Sequence, residues 1–445
     1  MKRQVLIAIV TALVLALIIL IFPGHFKTPD AVMRPPTQGK ENAAILKAFR
    51  KAIGKNTQYQ LQYPASGSYR SAFIRHDLDG DKEDEVIVFY TRELAESTVR
   101  FNILDNQDGE WLSVLDEEGY GNGIDSVHFT DLQGNGSPEL IFSWDSFAQT
   151  DDKRLTAHAI RVGEDQVLTI QTLLDQPYST MGLADMDGDS IDELFVVWTD
   201  RSERSPKTYA TLFKMDNTNR IKTCGQSAIL DSGVSGYPLL QFQQNGKQNI
   251  AFLDAYKGTD SRITEVVYWD DSRQALVSPF TDPQSLSNTR TIRPKEIATT
   301  DIDGDHNLEI PIRVDRESAQ TTPGTEQLPM LCWNEFSLDG TMASLTPKTY
   351  SLYDPAEEYS LSVDPDLADS LTGFRATDTG VVTVYGRNGD PYFSIVRKNR
   401  SSLSEKDTFT FRKFKGSSAV YGTLTSAGKD AGFTDALIEQ SLLIF

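Results

Sequence analysis

The stretch Asp77-Leu78-Asp79-Gly80-Asp81-Lys82-Glu83-Asp84-Glu85 runs directly into the apolar segment Val86-Ile87-Val88-Phe89-Tyr90. Carboxylates at positions 1, 3, 5 and 9 of one short segment repel one another unless a cation sits among them. Gly80, at position 4, lets the backbone curl. A hard divalent ion wants about six to eight oxygens at roughly 2.3–2.6 Å. Asp77, Asp79, Asp81, the carbonyl of Glu83 and Glu85 would supply such a set. An EF-hand is a poor alternative, because it needs flanking helices, a glycine at position 6 and a glutamate at position 12. Here Lys82 stands at position 6 and strand-like runs flank the loop.

Moving outward, the pattern repeats. Loops start at Asp131, Asp185 and Asp301, and the four starts are 54, 54 and 116 residues apart. The last gap is about two periods, and Gln241-Phe242-Gln243-Gln244-Asn245-Gly246-Lys247-Gln248-Asn249 fits between as a degenerate copy. The chain therefore carries five copies of a unit of 54 to 60 residues, a period that marks an array of small repeats. The third loop offers Asp185, Asp187, Asp189, the carbonyl of Ile191 and Glu193; the fifth offers Asp301, Asp303, Asp305, the carbonyl of Asn307 and Glu309. In the second, only Asp131 and Glu139 are carboxylates, with Gln133 and Asn135 as neutral oxygens, so it is expected to bind weakly or not at all. The fourth has lost every carboxylate and is expected to fold as a loop without metal.

Each unit reads as four short strands, one before the loop, one after it and a following hairpin. In the strand after the loop, Val88, Phe142, Val196 and Phe252 lie on one face, and Ile87, Ile141, Phe195 and Ala251 on the other. Antiparallel strands are commonly wet on one face, so apolar residues on both predict a sheet covered on both sides. Radially packed propeller blades create that environment. The fold class expected is mainly β: a propeller-like array of about five four-stranded repeats over residues 55–349. A small α+β domain, or additional blades, follows over 350–445. Pro311 marks its strand as an edge. A short helix is predicted over 41–54, with Ile45, Leu46, Phe49 and Ile53 on one face. A terminal helix is predicted after Thr434, with Leu437, Ser441, Leu442 and Phe445 together.

Residues 5–22 form an apolar run broken only by Thr11 and preceded by Lys2 and Arg3. That length spans a bilayer, and the basic pair points the rest of the chain outward. No small-residue cleavage site follows, so residues 1–22 read as a cytoplasmic tip and uncleaved transmembrane anchor, and the proline-containing stretch 23–40 as a linker. The expected location is the cell membrane, single-pass, with the bulk extracytoplasmic. The net charge of −20 argues against nucleic acid as a partner. Cys224 and Cys332 read as small buried hydrophobes. A nucleophile elbow, H-E-x-x-H, a Walker A loop and a dinucleotide fingerprint do not occur. Tyr90, Trp144 and Trp198 read as core residues, whereas Tyr120, Tyr178 and Tyr237 sit where exposed loops would contact a ligand.

The loops Asp77–Glu85, Asp185–Glu193 and Asp301–Glu309 resemble the FG-GAP or VCBS-type repeats of integrin-alpha-like propellers; Asp131–Glu139 does so less, and Gln241–Asn249 does not. The resemblance covers roughly residues 70–350 and implies calcium as the ion. The anchor, the stretch Tyr63–Ser71 and the C-terminal module are similar to membrane-anchored repeat proteins of Gram-positive bacteria, which implies a cell-envelope location. The function expected is a non-catalytic binding or scaffolding module for an envelope protein or glycan. The alternative is an envelope polysaccharide or peptidoglycan hydrolase or lyase on the same scaffold.

Overall fold

The computed structural model describes residues 40–92, 98–145, 153–162, 168–202, 204–314, 323–339, 342–399, 408–416 and 418–444. The expected anchor over 1–22 and residues 23–39 of the expected linker lie outside them. Among the described residues no helix is long and apolar enough to cross a membrane. The chain is mainly β and antiparallel throughout its strand ladders, and none of the described sheets closes into a barrel. It divides into two compact units. One comprises the described residues up to Tyr63, with Arg70–Gly119 and Val162–Thr169; the other comprises Pro64–Tyr69, Tyr120–Arg161 and Ile170 onward.

In the first unit the helix Lys40–Ile53 ends at Gly54, whose φ of 100° terminates it as a left-handed residue would. Its buried face is Ile45, Ala48, Phe49 and Ile53, with Leu46 only partly covered. Phe49 meets Tyr59 and Tyr90 edge-on, with ring centres 5.2 and 5.1 Å apart. The helix packs on a sheet in which Tyr59–Leu61 and Phe73–His76 both pair with Glu85–Arg92, followed by Arg100–Gln107 and Glu110–Glu118.

The second unit repeats this meander. Its sheets run in chain order: Gly123–Thr130, Glu139–Asp145, Lys153–Val162 and Leu168–Tyr178; then Thr180–Ala184, Glu193–Asp200, Lys207–Met215 and Ile221–Thr223; then Leu239–Asn245, Gln248–Lys257, Ser261–Asp270 and Ala275–Val277. The strand Glu193–Asp200 is apolar on both faces because it is covered on both. Leu194 and Val196 pack with Ile141 of the preceding sheet, while Phe195 and Val197 pack with Ala251 and Leu253 of the next. Ile250 and Phe252 in turn meet Ile310 and Phe336. Burying each such side chain fully is worth about 1.5–3 kcal/mol.

The next sheet takes the order Glu309–Val314, Met330–Asp339, Met342–Asp354, Tyr359–Val363 and Leu442–Ile444. Pro311 lies on its edge strand, where a missing N–H is harmless. Position 350 falls inside the strand Met342–Asp354, and the chain's last strand joins this same sheet through Tyr359–Val363. The ladder continues through the point where the loop motif fades, because backbone pairing does not depend on that motif. A six-stranded sheet over Thr325–Gln327, Thr372–Ala376, Val382–Tyr385, Pro391–Asn399, Ser418–Leu424 and Phe411–Lys415 packs against it. The terminal helix Asp435–Ser441 is capped by the Thr434 hydroxyl, which accepts from the Leu437 N–H at 3.2 Å. Its buried residue is Ile438, whereas Leu437 is exposed, and the chain turns extended at Leu442.

The fourth copy is not a loop. Gln241, Gln243 and Asn245 lie in the strand Leu239–Asn245, which turns through Gly246 and Lys247 into Gln248–Lys257. Without aspartates to collect the backbone N–H groups, the segment zips into a two-residue hairpin, and Gly246 (φ 66°) takes the first turn position.

Candidate metal centres

The three full loops share one hydrogen-bond plan. The first aspartate accepts from the backbone N–H of positions 4 and 6. These are Gly80 at 2.7 Å and Lys82 at 3.1 Å, Gly188 at 2.7 Å and Ser190 at 2.9 Å, and Gly304 at 2.6 Å and His306 at 2.9 Å. Asp79, Asp187 and Asp303 accept from the N–H two residues on at 3.1, 3.2 and 3.3 Å. Asp81, Asp189 and Asp305 accept from the N–H of Glu83, Ile191 and Asn307 at 2.7, 3.0 and 2.8 Å.

The glutamate at position 9 closes each loop. Oε2 of Glu85, Glu193 and Glu309 accepts from the N–H of Leu78, Met186 and Ile302 at 2.7, 2.9 and 2.9 Å. Oε1 of all three is buried; in Glu85 and Glu309 it has no partner, and in Glu193 it faces only the Lys214 ammonium, at 3.2 Å. A buried carboxylate oxygen without a donor is costly, and here each one belongs to an acidic group. Asp77, Asp79 and Glu85 form the first, Asp185, Asp187, Asp189 and Glu193 the second, and Asp301, Asp303 and Glu309 the third. Within each group one ligand atom per residue lies within 4.8 Å of the others. Hard oxygen donors at this spacing fit a divalent cation. Burial pushes the Glu85 carboxyl up to about 8, opposed by the Leu78 N–H and reinforced by Asp79, Asp105 and Asp81. Glu193 and Glu309 are pushed up to about 7 by the same desolvation.

Asp81 and Asp305 stand outside the tight groups. Asp305 is drawn away to the Lys348 ammonium at 2.9 Å. The carbonyl positions Glu83, Ile191 and Asn307 hold their places through the N–H bonds given above.

The second loop keeps part of the plan, with the position-5 N–H in place of position 4, and lacks the ligands. Asp131 accepts from the N–H of Asn135 at 3.0 Å and Gly136 at 2.6 Å, and Glu139 Oε2 accepts from Leu132 at 2.9 Å. Gln133 turns its carboxamide to the Asp216 carbonyl at 3.2 Å. Positions 1 and 9 therefore shape the loop, and the position-3 carboxylate, present in every tight group, is what the second loop lacks.

Sequence spacing did not reveal the residues that reach into the loops from elsewhere. Lys214 Nζ lies 3.1 Å from Asp187 Oδ2, 3.2 Å from Glu193 Oε1 and in contact with Asp189. The Gln243 carboxamide accepts from the Leu308 N–H at 2.7 Å and donates to Asn307 Oδ1 at 3.2 Å, clasping the fifth loop. Asn249 donates its backbone and side-chain N–H to the Asp185 carbonyl, both at 2.9 Å. The degenerate copy thus braces the loops on either side of it. The only signal in the sequence was amide side chains where carboxylates were expected.

No protein-family model matches this chain, and no curated protein matches it. A solved structure, "rhamnogalacturonan lyase YesW", aligns over 75% of this chain and 76% of its own at 10% identity and a TM-score of 0.29. That degree of similarity carries no argument about fold or activity.

Away from the loops, Tyr90 and Trp144 are fully buried and Trp198 is half-buried, stacked on Tyr209 at 5.4 Å. The tyrosines expected in exposed loops differ. Tyr178 and Tyr237 are buried because each ring joins a hydrophobic core, and Tyr120 is half-buried against Trp144 and His158. Tyr237 nevertheless forms one wall of a pocket of about 220 Å³ with Ser179, Thr199, Arg201, Thr208 and Tyr256. Cys224 and Cys332 are both free thiols.

Proposed function

We propose that this chain is a calcium-binding repeat protein of the FG-GAP or VCBS type, its meander sheets arranged as propeller-like blades. Residues 5–22 hold it at the cell membrane with the bulk outside. It acts as a non-catalytic binding or scaffolding module for an envelope protein or glycan. One observation carries the reading: three loops share a hydrogen-bond plan, and each places a buried glutamate among aspartates at ligand spacing, its Oε1 without a partner in the first and fifth loops. Calcium suits carboxylate-rich loops of variable geometry, whereas magnesium demands a near-ideal octahedron and keeps its waters. The blade reading is supported by successive sheets in chain order whose post-loop strands are buried on both faces. The pocket beside Tyr237 and Tyr256, in which the Ser179, Thr199 and Thr208 hydroxyls sit among apolar groups such as Val234 and Pro238, offers a partner a mixed surface away from the loops.

The test is thermal melting of the full chain in calcium, in magnesium and in chelator. Ions bound only by the folded state stabilise it, by about 2.7 kcal/mol per site at a hundredfold excess over Kd. Calcium should raise the melting temperature and chelator should lower it. A melt that does not change with chelator overturns the calcium reading.

A further inference from the structure

The three carboxylate loops are not equivalent, and the difference comes from a strand outside them. Across the first sheet Val86 pairs with Leu104, so the next residue, Asp105, stands opposite Glu85. Across the third-repeat sheet Leu194 pairs with Phe213, so Lys214 stands opposite Glu193. In the fifth repeat Glu309 pairs directly with Glu335. One sheet position therefore holds aspartate, lysine and glutamate in the three loops.

The consequences are visible around each loop. In the first, Asp105 is buried, its Oδ2 accepting from Gln107 Nε2 at 3.0 Å, and its charge bears on both Asp79 and Glu85. Glu85 is fully buried with Oε1 unpartnered, and no lysine among the described residues pairs with this acidic set. In the third, the Lys214 ammonium touches Asp187, Asp189 and Glu193, and this is the loop whose four carboxylates draw together. In the fifth, Lys348 bridges Glu335 at 3.0 Å and Asp305 at 2.9 Å, while Glu309 Oε1 stays unpartnered.

We propose that the residue opposite the position-nine glutamate sets which cation each loop takes. Asp105 makes the first loop the strongest divalent-ion site, and Lys214 closes the third loop with the protein's own ammonium. This rests on the metal reading above. A metal ion entering the third loop must displace Lys214 and give up its three ion pairs. An ion entering the first loop displaces no ion-paired lysine among the described residues. The fifth loop, with Glu335 offset by Lys348, falls between them.

The test is calcium titration of the full chain by calorimetry, with melting in chelator as a second readout. Asp79→Asn should abolish the tightest site. Lys214→Met should lower the melting temperature in chelator and tighten the third site by at least about tenfold, a conservative share of the interaction of unit charges at this distance. Asp105→Lys should weaken the tightest site by at least about tenfold and raise the melting temperature in chelator, which keeps the test decisive if Lys214→Met fails to fold. If Asp79→Asn removes a site while Lys214→Met and Asp105→Lys leave affinities unchanged, this inference fails and the metal reading survives. If neither the wild-type chain nor any variant binds calcium, both fail together.

Discussion

At the residue scale, the loops are built by backbone N–H groups turning toward carboxylates. Position 6 is left-handed in each full loop, with φ of 76° at Lys82, 74° at Ser190 and 72° at His306. Side chains disfavour that region by about 1–2 kcal/mol, and the bond from the position-6 N–H to the first aspartate offsets it. Gln243 contributes from outside. Gln243→Ala would leave the Leu308 N–H without its acceptor and should cost about 1–3 kcal/mol by chemical denaturation. Gln244→Ala, one residue on and exposed, should stay within about 0.5 kcal/mol.

A buried carboxyl elsewhere gives a pH signature. Glu265 is fully buried, accepts from Thr281 Oγ1 at 2.6 Å and Ser278 Oγ at 2.7 Å, and is pushed up to about 7, chiefly by desolvation. A carboxyl raised in the folded state favours folding fully below its ordinary value of 4.5 and loses that contribution as pH rises through about 7. Stability should therefore fall across that window, and Glu265→Gln should flatten the fall. Melting temperatures between pH 4.5 and 7.5, taken in calcium, check it. Equal slopes in the two proteins would refute the assignment.

At the element scale, the both-faced apolar strands were legible because strand periodicity is local. What they pack against is set by close approach between sheets. Gly182, in Thr180–Ala184, is one such point: a Cβ there would lie 2.4 Å from the Phe242 ring and 2.9 Å from Leu240 Cδ2. Gly182→Val should destabilise by about 1–3 kcal/mol through overpacking. Adding Phe242→Leu should recover part of the loss, and a double-mutant cycle by denaturant unfolding measures the recovery. The fourth copy shows the limit of reading by alignment. Its spacing fits the loop, yet without carboxylates its backbone forms a hairpin, and its amides serve neighbouring loops.

At the scale of the whole molecule, the ladder and not the motif sets the extent of each sheet. Leu442–Ile444 pairs with Tyr359–Val363, and Leu442 is fully buried in the core shared by the last two sheets. Deleting residues 442–445 should cost at least about 2 kcal/mol, the lower bound for losing a buried leucine, and should speed proteolysis. A truncated chain that melts like the parent would contradict this. By itself the sequence determined the spacing of the aspartate loops, the acidic residues that three of them bring together, and strands buried on both faces. Each of these is encoded within about ten residues, by carboxylate spacing and by alternation of side chains. Only the tertiary structure decided that Lys214 sits in one loop and Asp105 beside another, that Gln243 clasps a loop 65 residues away, and that the last strand returns to an earlier sheet. Those facts depend on ladder register and on connections of varying length, which local spacing does not fix.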